Sequence, residues 1–400
     1  MLVGIVGKPN VGKSTFFSAA TLKNVPVADY PFTTITPNVG MGYLRTGCVC
    51  KEMGVVDTPR NSVCRDGTRL IPVKLVDVAG LVAGASEGRG RGNQFLDEIR
   101  QADALIHVVD ASGGTDEEGR KVELGSHDPL SDVSMIENEL DLWILGIVKK
   151  DWEKSARLTE QVRTSIAAHI AQRLSGLAID EESVEAAIMR LHMKTDKPTL
   201  WTDPELRSLV RLLRETNKPS LLAANKADLP GADARIEKLR GTGRLVIPAA
   251  SEAELLLRRA SEHGVIRYTP GDGQFEVTEK GVTPQQQKAL DLVRQKVLQP
   301  YGSTGVQQAI DSAYFGLLKA IVVYPVEDET KLSDKNGNVL PDAYVMPGGS
   351  TAVGLARKVH SDLADGFLYA IDARTGMRLS GEHVLKNGDI LKIVSSSRRG

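Results

Sequence analysis

A chain of 400 residues with 50 Lys plus Arg against 51 Asp plus Glu carries a formal net charge of −1, so any nucleic-acid contact must come from a local basic surface. Three cysteines are too few for a disulfide framework and point to a reducing compartment. The N-terminus enters an apolar run with no charged leader and no uncharged run is long enough to span a bilayer, so a soluble cytoplasmic protein without a membrane partner is expected, its length allowing two or three domains.

The first element is the apolar run Leu2 to Val6, which reads as a strand. It leads into Gly7-Lys8-Pro9-Asn10-Val11-Gly12-Lys13-Ser14-Thr15, a match to the phosphate-binding pattern G-x-x-x-x-G-K-[S/T]. Each part serves the chemistry. Backbone N–H groups from Asn10 through Thr15 close around phosphates, Lys13 reaches the β- and γ-phosphates, and the Ser14 hydroxyl ligates Mg²⁺. Phe16 to Leu22 supplies the helix whose N-terminal dipole faces the anion.

Asp29 to Asn38 is bounded by prolines and polar at its centre, so it reads as a loop. Its adjacent Thr33 and Thr34 sit where a switch segment offers one hydroxyl to Mg²⁺ and one N–H to the γ-phosphate. Cys48, Cys50 and Cys64 follow in a hairpin or irregular excursion interrupted by Pro59, Asn61 and Gly67. A C-x-C plus one more cysteine is one ligand short of a structural zinc site, and His127 is too distant to complete it, so buried thiols are expected.

Leu70 to Asp77 reads as a strand ending in Asp77-Val78-Ala79-Gly80, a D-x-x-G at the position where a parallel sheet places its ligand groups. Asp77 is expected to hold Mg²⁺ through water, and the Gly80 N–H to contact the γ-phosphate. Leu81 stands where Ras-like proteins carry a water-orienting glutamine, and an aliphatic side chain cannot do that work. Ala104 to Asp110 is apolar almost throughout, as a strand buried on both faces requires, with His107 expected as a satisfied core residue.

From Ser134 to His192 apolar residues recur at spacings of three and four, which predicts two helices forming a hairpin or short coiled coil inserted into the sheet domain. Thr202-Asp203-Pro204-Glu205 has capping-box spacing, and Leu206, Leu209, Val210 and Leu213 face a core. Ser220 to Ala224 then runs into Asn225-Lys226-Ala227-Asp228. In N-K-x-D an aspartate carboxylate accepts guanine N1–H and N2–H₂, whereas adenine leaves it unpaired, a difference worth roughly 10⁴-fold. After the strand Leu245 to Ile247, a backbone N–H of Ala250 or Ser251 is placed to reach guanine O6. Glu252 to Gly316 reads as mostly helical. From about Lys319 a small ubiquitin-like α+β module begins, with a strand at Ile321 to Val326, a helix from about Ser350 to His360 and a closing strand at Ile390 to Val394.

With five guanine-nucleotide motifs in order, the chain resembles the Obg/YchF group of translation-associated P-loop GTPases. The resemblance rests on Ala28 to Asn38, on Asp77 to Leu81 with its glycine-rich continuation, and on Gly348-Gly349-Ser350-Thr351-Ala352 up to His360, and it covers essentially the whole chain. It implies an α/β P-loop fold with a mostly parallel sheet and helices on both faces, a coiled-coil-like helical insertion and a C-terminal TGS domain. The corresponding divisions are 1–128 with 200–316 for the nucleotide domain, 129–199 for the insertion and 317–400 for the TGS domain.

The resemblance further implies Thr34 as the Mg²⁺ ligand of its pair, and catalytic roles for Lys13, Thr34 and Gly80. Potassium-dependent relatives use the P-loop asparagine, here Asn10, to hold K⁺. Many YchF-type relatives carry glutamate at the position of Asp228 and prefer ATP, so aspartate here argues for GTP. The expected activity is slow Mg²⁺-dependent conversion of GTP to GDP by a monomer, with a ribosomal or RNA partner engaged by the TGS domain and the helical insert. An ATPase of the same architecture and a nucleotide-gated RNA-binding protein with incidental hydrolysis are the alternatives. Arg89 or Arg91 as an internal arginine finger, RNA contact by the same residues, and simple solvation of the loop are open readings of the glycine-rich stretch.

Overall fold

The apolar run at the N-terminus forms the strand β1 (Leu2–Val6), and its position in the sheet sets up the rest of the molecule. In the computed structural model, which describes residues 1–21, 38–81, 84, 98–162, 164–279 and 281–396, β1 is followed by the phosphate loop and helix α1 (Lys13–Thr21). The chain then forms β2 (Val39–Gly47), the short helix α2 (Val49–Met53), β3 (Val63–Arg65), β4 (Thr68–Asp77) and β5 (Ala104–Asp110). Every residue of β5 is buried, as its apolar run requires.

Five helices come next: α3 (Pro129–Lys149), α4 (Trp152–Val162), α5 (Ile166–Leu174), α6 (Glu181–Arg190) and α7 (Asp203–Asn217). The sheet resumes with β6 (Ser220–Asn225), followed by α8 (Ala232–Arg240), β7 (Val246–Pro248) and α9 (Ser251–Glu262). The sheet order is β2-β4-β1-β5-β6-β7, with β3 on β4. β4, β1, β5, β6 and β7 pair in parallel, while β2 and β3 are antiparallel to β4. The loops that follow β1, β4, β5 and β6 therefore gather at one end of the sheet, where an α/β protein binds its ligand.

The helical insertion is present, but its shape corrects the two-helix expectation. Ile144, Val148, Trp152, Ile170, Val184, Leu209 and Leu213 belong to one cluster, so segments of α3 through α7 close a small core of their own. Trp152 stacks on Trp201 with ring centroids 5.6 Å apart. The capping box predicted at α7 forms, with the Glu205 side chain accepting from Thr202 N and the Thr202 hydroxyl accepting from Glu205 N. The apolar face of α7 serves the helical unit, so this packing unit reaches past residue 199.

After α9 come the short strands β8 (Ile266–Arg267) and β9 (Glu276–Val277), then α10 (Pro284–Val293) and α11 (Val306–Asp311). The C-terminal unit contains β10 (Ile321–Val326), β11 (Tyr344–Met346), α12 (Ala352–Val359), α13 (Ser361–Asp365), β12 (Phe367–Asp372), β13 (Arg378–Leu379) and β14 (Ile390–Ser395). Its sheet order is β11-β10-β14-β12-β13, with β10 and β14 parallel. This unit does not hang free. Val322, Tyr324, Leu340 and Ile390 share one apolar cluster with Val49, Ile71, Ala313 and Tyr314 of the sheet domain.

Candidate nucleotide site

The phosphate loop leaves β1 at Gly7 and turns into α1 at Lys13. Gly12 has φ of 91°, and a Cβ there would sit 2.3 Å from Asn225 Nδ2, so the loop and the N-K-x-D strand can meet only across a glycine. Asn225 Nδ2 donates to the Val11 carbonyl at 2.9 Å, and its Oδ1 accepts from Ser251 N at 3.1 Å and from the Ser251 hydroxyl at 2.8 Å. Lys226 Nζ donates to the Asn10 carbonyl at 3.1 Å and to Asp110 Oδ2 at 2.7 Å. Asn10 and Lys226 both hold left-handed backbone, φ 64° and 61°, a conformation tolerated where surrounding contacts enforce it. The residues expected to read the base thus also hold the phosphate loop in place.

Lys13 Nζ reaches Asp77 Oδ1 at 2.7 Å, and the Ser14 hydroxyl lies 3.4 Å from Asp77 Oδ2. The lysine, hydroxyl and carboxylate expected around a metal-bound triphosphate therefore converge, although they come from two different strand ends. A hydroxyl beside a carboxylate is a hard oxygen donor pair, which suits Mg²⁺. Gly80 is exposed at the end of the D-x-x-G turn beside Pro9, open to a ligand. Leu81 is turned the other way. It is buried with Val6, Val78, Ile99 and Leu105, so it acts as a core residue. Thr33, Thr34, Arg89 and Arg91 lie outside the described residues.

Asp228 is half-buried, and among the described residues its carboxylate makes no hydrogen bond, which leaves both oxygens for a base. It borders a cavity of about 560 Å³ framed by α9 and α10. Both N–H groups expected at guanine O6 are engaged in this conformation. Ala250 N donates to the Thr304 carbonyl at 2.9 Å, and Ser251 N is held by Asn225, so neither N–H is idle. The Thr15 hydroxyl reaches Glu252 Oε1 at 3.4 Å.

Several residues that motif reading passed over hold this site. Lys8, inside the phosphate loop, is fully buried and donates from Nζ to the Thr115 carbonyl and Asp132 Oδ1, both at 2.9 Å, with Asp132 on α3. Asp110 ends β5 and accepts from Lys226, Ser112 and Thr115. Burial opposes its ionisation, but these bonds and the Lys226 charge overcome that and hold its carboxyl below the usual range. A carboxylate closing a strand apolar but for His107 was a visible signal.

Glu98 bridges two of the loops, accepting from Asn38 Nδ2 at 2.6 Å and from Ala79 N at 2.9 Å. Gly84 N donates to Glu139 of α3 at 2.7 Å. Asn10 Nδ2 donates to the Gly119 carbonyl at 2.9 Å, leaving its amide oxygen as the group able to face a cation. His107 is buried as expected but not satisfied: Nε2 has no hydrogen-bond partner, and burial, aided by the Arg244 charge, pushes its pKa down to about 3.

Known proteins resemble the chain over nearly its whole length. Residues 2–139 match the family described as 50S ribosome-binding GTPase, 223–328 the Obg-like GTPase YGR210-like G4 motif-containing domain, and 336–395 the TGS domain. An uncharacterized GTP-binding protein of Methanocaldococcus jannaschii is 49% identical over 99% of this chain and 100% of its own length. The ribosome-binding ATPase YchF of Bacillus subtilis is 29% identical, covering 98% of each chain. The crystal structure of a GTP binding protein from Pyrococcus horikoshii OT3 superposes with a TM-score of 0.77 at 42% identity, covering 99% of this chain and 100% of that one. A P-loop whose lysine and serine meet the D-x-x-G aspartate, an N-K-x-D pinned to that loop, a helical insert and a C-terminal TGS domain, matched end to end by these relatives, place the chain in the Obg/YchF family of P-loop GTPases.

Proposed function

We propose that the chain is a Mg²⁺-dependent GTP hydrolase that works as a slow switch on the ribosome or its RNA. The observation that carries this reading is the arrangement of Lys13, Ser14 and Asp77 around one point while Asp228 keeps both carboxylate oxygens available. Lys13 exchanges Asp77 for the β- and γ-phosphate oxygens when nucleotide enters. Ser14 and Asp77, with Thr34 from the switch segment, would hold Mg²⁺, which supplies positive charge to the phosphates when bound. The Gly80 N–H donates to the γ-phosphate, and Asp228 accepts from guanine N1–H and N2–H₂. Nucleotide chemistry belongs to 1–128 with the part of 200–316 that follows α7, and partner binding to the insertion (129–199), whose packing unit takes in α7, and to the TGS domain (317–400).

Leu81 orients no water, so turnover is slow until another group assists. K⁺ held by the Asn10 amide oxygen is one such group. The ribosomal partner is supported by the descriptions of the matched family and of the Bacillus relative. That relative is named an ATPase, which makes ATP the rival substrate; the free Asp228 carboxylate favours GTP.

Cosedimentation of the full chain with ribosomes, in a non-hydrolysable GTP analogue, in GDP and without nucleotide, tests the switch. Association that depends on the nucleotide state is expected. Equal association in all three states, unchanged by Lys13→Ala, would leave a binding protein with incidental hydrolysis, and no association in any state would remove the translation reading.

A further inference from the structure

The three cysteines have no part in the nucleotide site, yet the fold gathers them. Cys48 caps the start of α2, Cys50 lies within it, and Cys64 sits on β3. Asp57, on the loop between α2 and β3, completes the group. The four ligand atoms lie within 4.8 Å of one another. The Cys50 and Cys64 sulfurs are 3.9 Å apart, close to the edge of about 3.8 Å that a zinc tetrahedron with bonds of about 2.3 Å requires, and far from a disulfide. Cys48 Sγ is 3.1 Å from Asp57 Oδ2. The fourth ligand that the sequence spacing lacked is thus a carboxylate, and Asp is an accepted zinc donor.

The surroundings suit a charged site. Three thiolates and a carboxylate around a divalent ion leave excess negative charge, which is costly to bury without a cation. Arg69 is fully buried and supplies one, its Nη1 lying 2.7 Å from Asp57 Oδ2 and 3.9 Å from Cys48 Sγ. It orients the carboxylate as a ligand's hydrogen-bond partner does. The excursion from Cys48 to Gly67 consists of a five-residue helix, a three-residue strand and loops, too little regular structure to be rigid by itself.

That excursion carries much of the seam with the C-terminal domain. Thr58 N donates to the Val339 carbonyl and Arg60 N to the Pro341 carbonyl, at 2.9 and 2.7 Å. Asn61 exchanges two hydrogen bonds with Ala343, and Arg69 Nη2 donates to the Leu340 carbonyl at 2.8 Å. We propose that Cys48, Cys50, Cys64 and Asp57 bind zinc in a tetrahedral site that stiffens this excursion as the docking platform of the TGS domain. Zinc binding to such a segment is folding free energy, because the ligands are not held together without the fold.

Full-length protein, purified under reducing conditions and depleted of metal, is titrated with Zn²⁺ and, separately, with Co²⁺. The expected results are about one zinc bound per chain, thiolate-to-cobalt charge-transfer absorption, and protection of all three thiols from a disulfide reagent. Cys50→Ser and Cys64→Ser should each lose the absorption. Removing zinc should expose the segment near Lys319 to protease. Should either variant fail to fold, the wild-type titration decides: no bound zinc and no cobalt–thiolate band overturns the proposal, as does a Cys50–Cys64 disulfide found by mass in a parallel sample isolated without reductant and with free thiols blocked. GTP binding is read in parallel, so loss of the nucleotide reading leaves the zinc result intact.

Discussion

In the proposed function Asp228 carries the choice of base in one carboxylate, which makes no hydrogen bond among the described residues. Asp228→Asn replaces an acceptor by a group that can also donate, so GTP affinity should fall by roughly 10²-fold or more while xanthine nucleotides gain. Unchanged preference in a competition assay would remove Asp228 from the base site. His107 gives a test of stability. Its folded pKa of about 3 lies below the unfolded value of 6.5, so between those values the unfolded chain binds more protons. Stability from this group is complete above about pH 6.5 and is lost as pH falls through that window.

Between pH 7.5 and 4.5 the wild type should therefore lose on the order of 3 kcal/mol that His107→Leu retains, read from urea midpoints at each pH. Burial pushes the Asp311 carboxyl up to about 7, against the hydrogen bonds from Arg45 and Gln307, and it titrates in the opposite sense. That contribution is common to both proteins and cancels in their difference. Parallel pH curves for the two proteins would show that His107 is not held neutral.

The helix α3 is the element that ties the helical unit to the nucleotide loops. Its N-terminal turn carries Asp132 under the phosphate loop, its middle presents Glu139 to Gly84, and its C-terminal half joins the helical core. Asp132→Ala would strand the Lys8 ammonium in an interior where neither side chain is more than 3% exposed. Removing one partner of such a pair costs about 3 kcal/mol, so a stability loss of that order should accompany weaker nucleotide binding. A loss below about 1 kcal/mol in denaturant melts would mean that water reaches Lys8.

Elements with a strong local signal were legible: the apolar run of β5 and the capping box of α7 appear where the residues call for them. The five-helix packing was not. A stripe with a period near 3.6 says that a helix buries one face, but not how many partners cover it. The strand β2 was missed because Gly40, Gly42 and Gly47 dilute its pattern, although it pairs with β4 over nine residues.

The C-terminal domain was visible as a change in sequence character near Lys319, but its seam with the sheet domain was not. Arg69 bonds to backbone carbonyls 271 and 272 residues away, and carbonyls carry no sequence signature. The same limit hid Asp57 as partner to the cysteines, and Glu98 and Asp132 as supports of the site. Motif residues were readable because the phosphate and base chemistry proposed for them requires a fixed spacing, whereas their supports are free to come from anywhere in the chain. Arg69→Met should remove two carbonyl contacts and leave Asp57 without its cation, lowering the thermal midpoint and speeding proteolysis between the domains. Unchanged cleavage rates would show that the apolar cluster alone holds the seam.

The proposed function stands or falls on whether the chain selects guanine over adenine. Equilibrium titration of the full chain with GTP and with ATP, in Mg²⁺, measures it most directly. GTP should bind tighter by at least about 10³-fold, because guanine donates two hydrogen bonds to the Asp228 carboxylate and adenine would leave it unpaired. ATP binding as tight as GTP, or tighter, would contradict it.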